Sequence, residues 1–204
     1  MALDSYQNLK TAISNFSHRT DISDVVDDFI VLAENRIDNS LRINSNNLRA
    51  TATASTSDRF LALPTRFLKM RRFTLISDDF YHDVNFLAPD SMNIYSISGL
   101  PKYFTITNQI EFERVCDQAY SLEISYWSKL NPLSDSNTTN NVLTDHPQIY
   151  LTACLMELNY WANNDSEALK MESKFNMLVD KANEEERNNR IGPSPVMRIE
   201  GATP

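Results

Sequence analysis

The chain has 204 residues, 42% of them hydrophobic, and a net charge of −8; it is long enough for a sizeable core and lacks the clustered basic surplus that general affinity for nucleic acid backbones requires. Its three glycines, Gly99, Gly192 and Gly201, lie far apart, which excludes the glycine-rich loops that cradle phosphates and dinucleotides. Two cysteines are too few for a disulfide framework, no run approaches the roughly 18 to 20 apolar residues of a bilayer span, and Met1-Ala2-Leu3-Asp4 does not open a signal peptide, so the expectation is a soluble protein made in the cytoplasm.

Ser5 stands where it can cap a first helix, whose apolar line runs through Tyr6, Leu9, Ile13 and Phe16. Asp21 or Ser23 is placed to cap a second. Its apolar face is Val25, Val26, Phe29, Ile30, Leu32, Ala33, Ile37 and Leu41, with Asp24, Asp27, Asp28, Glu34 and Arg36 mostly on the other side. From Asn44 to Asp58 the composition shifts to Asn, Ser, Thr and Ala, and the alternation of Ala50 to Thr56 predicts an exposed strand or a flexible connection.

Short extended stretches follow at Phe60 to Leu63, Phe67 to Ile76, Tyr81 to Leu87, Tyr103 to Thr107, Ile110 to Val115 and Tyr120 to Tyr126. Pro64, Asp78-Asp79, Asn108 and Asp117 supply the turn chemistry between them, which predicts a small antiparallel sheet system. Pro89 to Tyr95 reads as a short helix begun by its proline, and Asn131 to Asn140 as a polar loop leading back to helices.

Thr144 or Asp145 can cap the next helix, with Pro147 tolerated in its first turn. From Gln148 to Trp161 only Gln148, Thr152, Glu157 and Asn159 are polar, so this helix is buried on several sides. Asn163 to Ser166 breaks the pattern, and a one-sided helix follows, burying Ala168, Met171, Phe175, Leu178 and Ala182 and ending near Arg190. The two pack as a hairpin. Beyond it Pro193 and Pro195 prevent helix, leaving an extended tail whose apolar residues a partner is expected to cover; the contact residues are Arg190, Ile191, Pro193, Pro195, Val196, Met197, Arg198 and Ile199.

The expected fold class is therefore α+β: a helical bundle from residues 1–48 and 141–190, a small antiparallel β insertion over 49–140, and an extended C-terminal tail over 191–204. His18, His82 and His146 form no metal-ligand spacing, no G-x-S-x-G turn presents a serine, and Cys116 and Cys154 have no neighbouring histidine in sequence. Asp78-Asp79 reads as a turn and Glu184-Glu185-Glu186 as a solvated helix end. No catalytic residue, cofactor or metal is assigned. The one basic cluster, Lys69, Arg71 and Arg72 with Arg66 nearby, is interleaved with Phe67, Phe73 and Leu75; it suits either a strand with a wet polar face or a contact with DNA or another subunit's carboxylates.

Read in order, the stretches Asp28 to Ile37 (DFIVLAENRI), Phe60 to Leu68 (FLALPTRFL), Gly99 to Ile106 (GLPKYFTI), Leu133 to Asn137 (LSDSN), Asn140, and Leu143 to Leu151 (LTDHPQIYL) make the chain similar to the adaptor proteins of tailed bacteriophages, the head-to-tail connector subunits beneath the portal ring. The resemblance implies a non-enzymatic virion protein of the neck: a ring of twelve copies docked under the portal protein ring, joined to tail or nozzle proteins. DNA would pass through its channel without specific binding, and no membrane is involved. Two rivals remain at this point, a cell-wall-degrading hydrolase carried in the virion and a nucleic-acid-binding module using Lys69, Arg71 and Arg72.

Overall fold

The computed structural model describes residues 3–43 and 46–191, the last two by backbone alone. The chain divides into two compact units, one from residues 1–45 and 130–204 and the other from 46–129. The fold class is α+β, with helices in the first unit and two four-stranded sheets in the second.

In the helical unit, α1 (Tyr6–Ser17) starts on the expected cap, with Ser5 Oγ accepting from the Asn8 N–H at 3.3 Å. It buries Tyr6, Leu9, Ala12 and Ile13, but Phe16, expected on the same line, is 60% exposed. α2 (Val26–Ser40) has no side-chain cap. Asp21 is held instead by Arg19 at 2.6 and 2.9 Å, and Ser23 bonds Asp24, so the expected capping residues are both engaged elsewhere. Asp27 and Asp28 in the first turn face the positive end of the helix dipole.

The cap expected at Thr144 or Asp145 is also different. Asn140 accepts from the Leu143 N–H at 3.0 Å and starts a separate short helix, α3 (Asn141–Asp145), after which α4 (Pro147–Trp161) begins without a side-chain cap. Every residue of α4 from Ile149 to Leu158 is buried, because α1, α2, α3 and α5 (Asp165–Ile191) all contact it. Each large aliphatic side chain buried there contributes about 1.5 to 3 kcal/mol. On α5 the inward residues are Ala168, Phe175, Val179 and Ala182, with Met171 and Leu178 partly buried against the same core.

The β unit contains β1 (Asn47–Thr53), β2 (Phe60–Leu61), β3 (Phe67–Ser77), β4 (Phe80–Asp83), β5 (Asn85–Phe86), β6 (Tyr103–Ile106), β7 (Ile110–Phe112) and β8 (Ser121–Ser128). One sheet runs β1-β8-β3-β4 and the other β2-β7-β6-β5. The pairing is antiparallel with one correction to the expectation: β5 and β6 are parallel, and residues 87–102 supply the crossover such a pair requires. Within that crossover the expected helix Pro89 to Tyr95 shrinks to a single 3-10 turn, Pro89–Ser91. Met92 is already extended and the Tyr95 N–H donates to the Glu113 carbonyl, so a tertiary bond takes the backbone the helix would have used.

Asp78 and Asp79 form the β3–β4 turn as read, both at positive φ (49° and 64°) between the paired Ser77 and Phe80, the mirror-image type I′ geometry of two-residue hairpins. The unit's core is aromatic: Phe73 stacks on Phe112 and meets Phe104 edge to face, with centroids 5.6 and 4.9 Å apart.

Candidate functional site

Several of the stretches that carry the resemblance converge in the helical unit on one buried carboxylate. Glu34, read as a solvent-side residue, is only 7% exposed. It accepts from the Leu133 N–H at 2.8 Å and from the Tyr150 hydroxyl at 3.1 Å, while Asn140 Nδ2 donates to that hydroxyl at 2.6 Å and to the Asn131 carbonyl at 2.9 Å. Burial raises the Glu34 pKa above the usual carboxylate range against the lowering effect of both donors, and burial likewise raises that of Tyr150. A signal for this was available: Glu34 follows Ile30 by four residues and precedes Ile37 by three, which puts it on the buried stripe.

Two further bonds hold the same junction. Leu130 N–H donates to Asp38 at 2.7 Å, and Arg36 pairs with Glu157. With one side of α2 fixed in this way, the other side presents Val31 at 55% and Leu32 at 48% exposure beside Asp24 and Asp28. Leu32 was expected in the core.

In the β unit, two bulges shape the basic cluster. Phe67 faces Ser128 but Lys69 faces Trp127, and Met70 faces Tyr126 but Arg72 faces Ser125, so Leu68 and Arg71 are extra residues on β3. The second bulge lets Met70 and Phe73 share the inner face although three positions apart, and leaves Arg71 and Arg72 both exposed. Arg72 pairs with Asp83 at 2.9 Å, which raises the arginine's pKa and lowers the aspartate's; Arg71 lies over the Trp127 ring at 5.5 Å.

β4 pairs only with the far half of β3, from Thr74 onward. Along the nearer half runs a groove of about 620 Å³, with Phe67, Phe86, Phe104 and Ile106 among its apolar lining and Lys69, Arg71 and Arg72 among its polar one. The cluster was visible in the sequence; the groove was not, because its far wall comes from β5 and β6. The Gly99 to Ile106 stretch is tied down nearby by Glu113, a buried carboxylate that accepts from the N–H groups of Lys102 (2.9 Å) and Tyr103 (2.7 Å).

Burial pushes the Cys116 thiol up to about 11 and raises Cys154 further, so both are unreactive thiols packed as small hydrophobes. Among the described residues no three His, Cys, Asp or Glu side chains gather as metal ligands, and no helix is long and apolar enough to cross a membrane. The side chains of Arg190 and Ile191, and all of Pro193, Pro195, Val196, Met197, Arg198 and Ile199, lie outside the described residues.

Compared with known protein families, the chain matches the model described as SU10 adaptor protein over residues 4–198. The chain belongs to that family. It is thus a phage structural adaptor, a virion protein that interacts with other phage proteins. No curated protein matches it. The match extends through both units of the adaptor and on to residue 198, so it takes in most of the segment read as a partner-binding tail.

Proposed function

We propose that the adaptor forms a ring, of twelve copies, beneath the portal ring in the neck of the virion, with a helical bundle from both chain ends carrying the β insertion, and that tail or nozzle proteins attach to that ring. The observation that carries this reading is the family match across residues 4–198. Exposed apolar side chains on α2, Val31 and Leu32, add surface that a neighbour can cover.

Closure into a ring multiplies modest contacts: once one copy has docked, the next meets it at high effective concentration. The segment from Arg190 to Ile199 supplies a second set of contacts, so that attachment depends on the assembled portal. The net charge of −8 suits a channel that DNA passes without specific binding, since acidic walls repel phosphates.

Mixing purified adaptor with purified portal rings and imaging the product by electron microscopy tests the proposal. One ring of adaptor copies per portal ring is the expected result, with weaker uptake by a chain ending at Arg190. Portal rings that take up no adaptor at any concentration overturn it.

A further inference from the structure

The β unit holds nine Lys and Arg against nine Asp and Glu, so the whole net charge of −8 resides in the helical unit. Within the neutral β unit, three basic side chains line the groove beside β3, where Asp83 neutralises Arg72 and leaves Lys69 and Arg71. Among the described residues neither Lys69 nor Arg71 has a carboxylate partner, and the groove's apolar wall includes Phe86, which is 56% exposed. Anionic and apolar character together are what this groove would recognise.

We infer that the groove receives the exposed α2 stripe of a second copy of this chain, with Val31 and Leu32 inserted between the aromatic wall and β3 and with Asp24 and Asp28 against Lys69 and Arg71. The proposal rests on the ring reading above and names one of the ring's contacts. Its first support is charge complementarity. Asp24 and Asp28 lie at the start of α2, where Lys10 already pairs with Asp27 between them, and no Lys or Arg follows until Arg36, which is paired with Glu157; α5, which also exposes Leu169 and Met177, intersperses Lys170, Lys174 and Lys181 among them.

The second support is the form of the β3 edge. Although the near half of β3 has no strand on its groove side among the described residues, its two bulges break the even spacing that strand addition needs, and flanking Lys and Arg discourage it. A helix that lays two aliphatic anchors into the groove covers this edge without needing its backbone register. Because the two surfaces differ, the contact is head-to-tail, the kind that closes into a ring when the rotation between neighbours allows.

Full-length chains carrying Leu32→Cys and Phe86→Cys together test the contact, since the natural Cys116 and Cys154 are buried. Oxidation, with the protein alone at high concentration and again after assembly on portal rings, should give a ladder of covalent multimers on non-reducing gels. The Leu32→Cys, Tyr81→Cys pair should give none. In parallel, Lys69→Glu with Arg71→Glu, or Asp24→Lys with Asp28→Lys, should each weaken copy-to-copy association about tenfold, and all four changes in one chain should restore it.

Absence of the ladder, a cross-link confined to single chains, or failure of the fourfold variant to recover overturns the inference. Loss of portal uptake by the groove variant, with copy-to-copy association intact, overturns it in favour of a portal segment as occupant. Portal docking itself is read separately, by whether portal rings take up the wild-type chain.

Discussion

Glu34 concentrates the chemistry of the helical unit in one side chain. Its folded pKa lies above the ordinary carboxylate value because burial outweighs the two donors that favour its charged form. The sign follows directly: Glu34 favours the fold below its unfolded pKa, and that contribution is lost as pH rises through the folded value. Asp27 acts in the opposite sense, since the hydrogen bond from Lys10 lowers its pKa and its contribution is lost on acidification. Glu34→Gln keeps an acceptor for the Leu133 N–H and the Tyr150 hydroxyl while removing the buried charge. Its Tm should therefore exceed that of the wild type at pH 7, with the difference closing by about pH 4; a variant less stable at pH 7 contradicts this account. Glu34→Ala, by contrast, strands both donors and should cost about 1 to 3 kcal/mol in urea unfolding.

Among the elements, those with a sustained hydrophobic period were readable. α4 and α5 and the positions of most strands follow from spacing alone, and Ser5 was a recognisable cap. What failed was decided by contacts from elsewhere in the chain: α2 starts on Val25 because Arg19 engages Asp21, and Pro89 to Tyr95 is mostly extended because Tyr95 bonds Glu113. The bulges at Leu68 and Arg71 were hidden for a related reason, since one inserted residue shifts every later side chain to the opposite face and only the partner strand reveals the count. The β3–β4 turn gives the element-scale prediction. Asp78 and Asp79 occupy left-handed conformations that strain side-chain-bearing residues, so replacing Asp78-Asp79 with Asn-Gly should raise the unfolding free energy by about 1 kcal/mol, read as a higher urea midpoint at unchanged slope.

At the scale of the whole molecule, the β unit begins and ends on paired strands. Asn47 of β1 is the register partner of Trp127 of β8, and directly opposed residues lie about 4.5 to 5.5 Å apart, so the two ends of the β unit lie side by side. The helical unit secures its own side of both crossings: Leu41 and Ile43 are buried, the Arg42 N–H donates to Asn183 at 2.7 Å, and Leu130 is buried with its N–H on Asp38. Each unit also closes its own apolar core. Replacing residues 46–129 with a short Gly-Ser linker should then leave the helical unit folded, because the linker spans a gap of a few residues at small entropic cost. Circular dichroism should show a helical spectrum and a single cooperative thermal transition. That shortened chain should also lose copy-to-copy association, since it keeps the α2 stripe but no groove to receive it. A shortened chain that melts without cooperativity means the helical core depends on the insertion, and one that folds yet still associates means Val31 and Leu32 are covered by something other than the β3 groove.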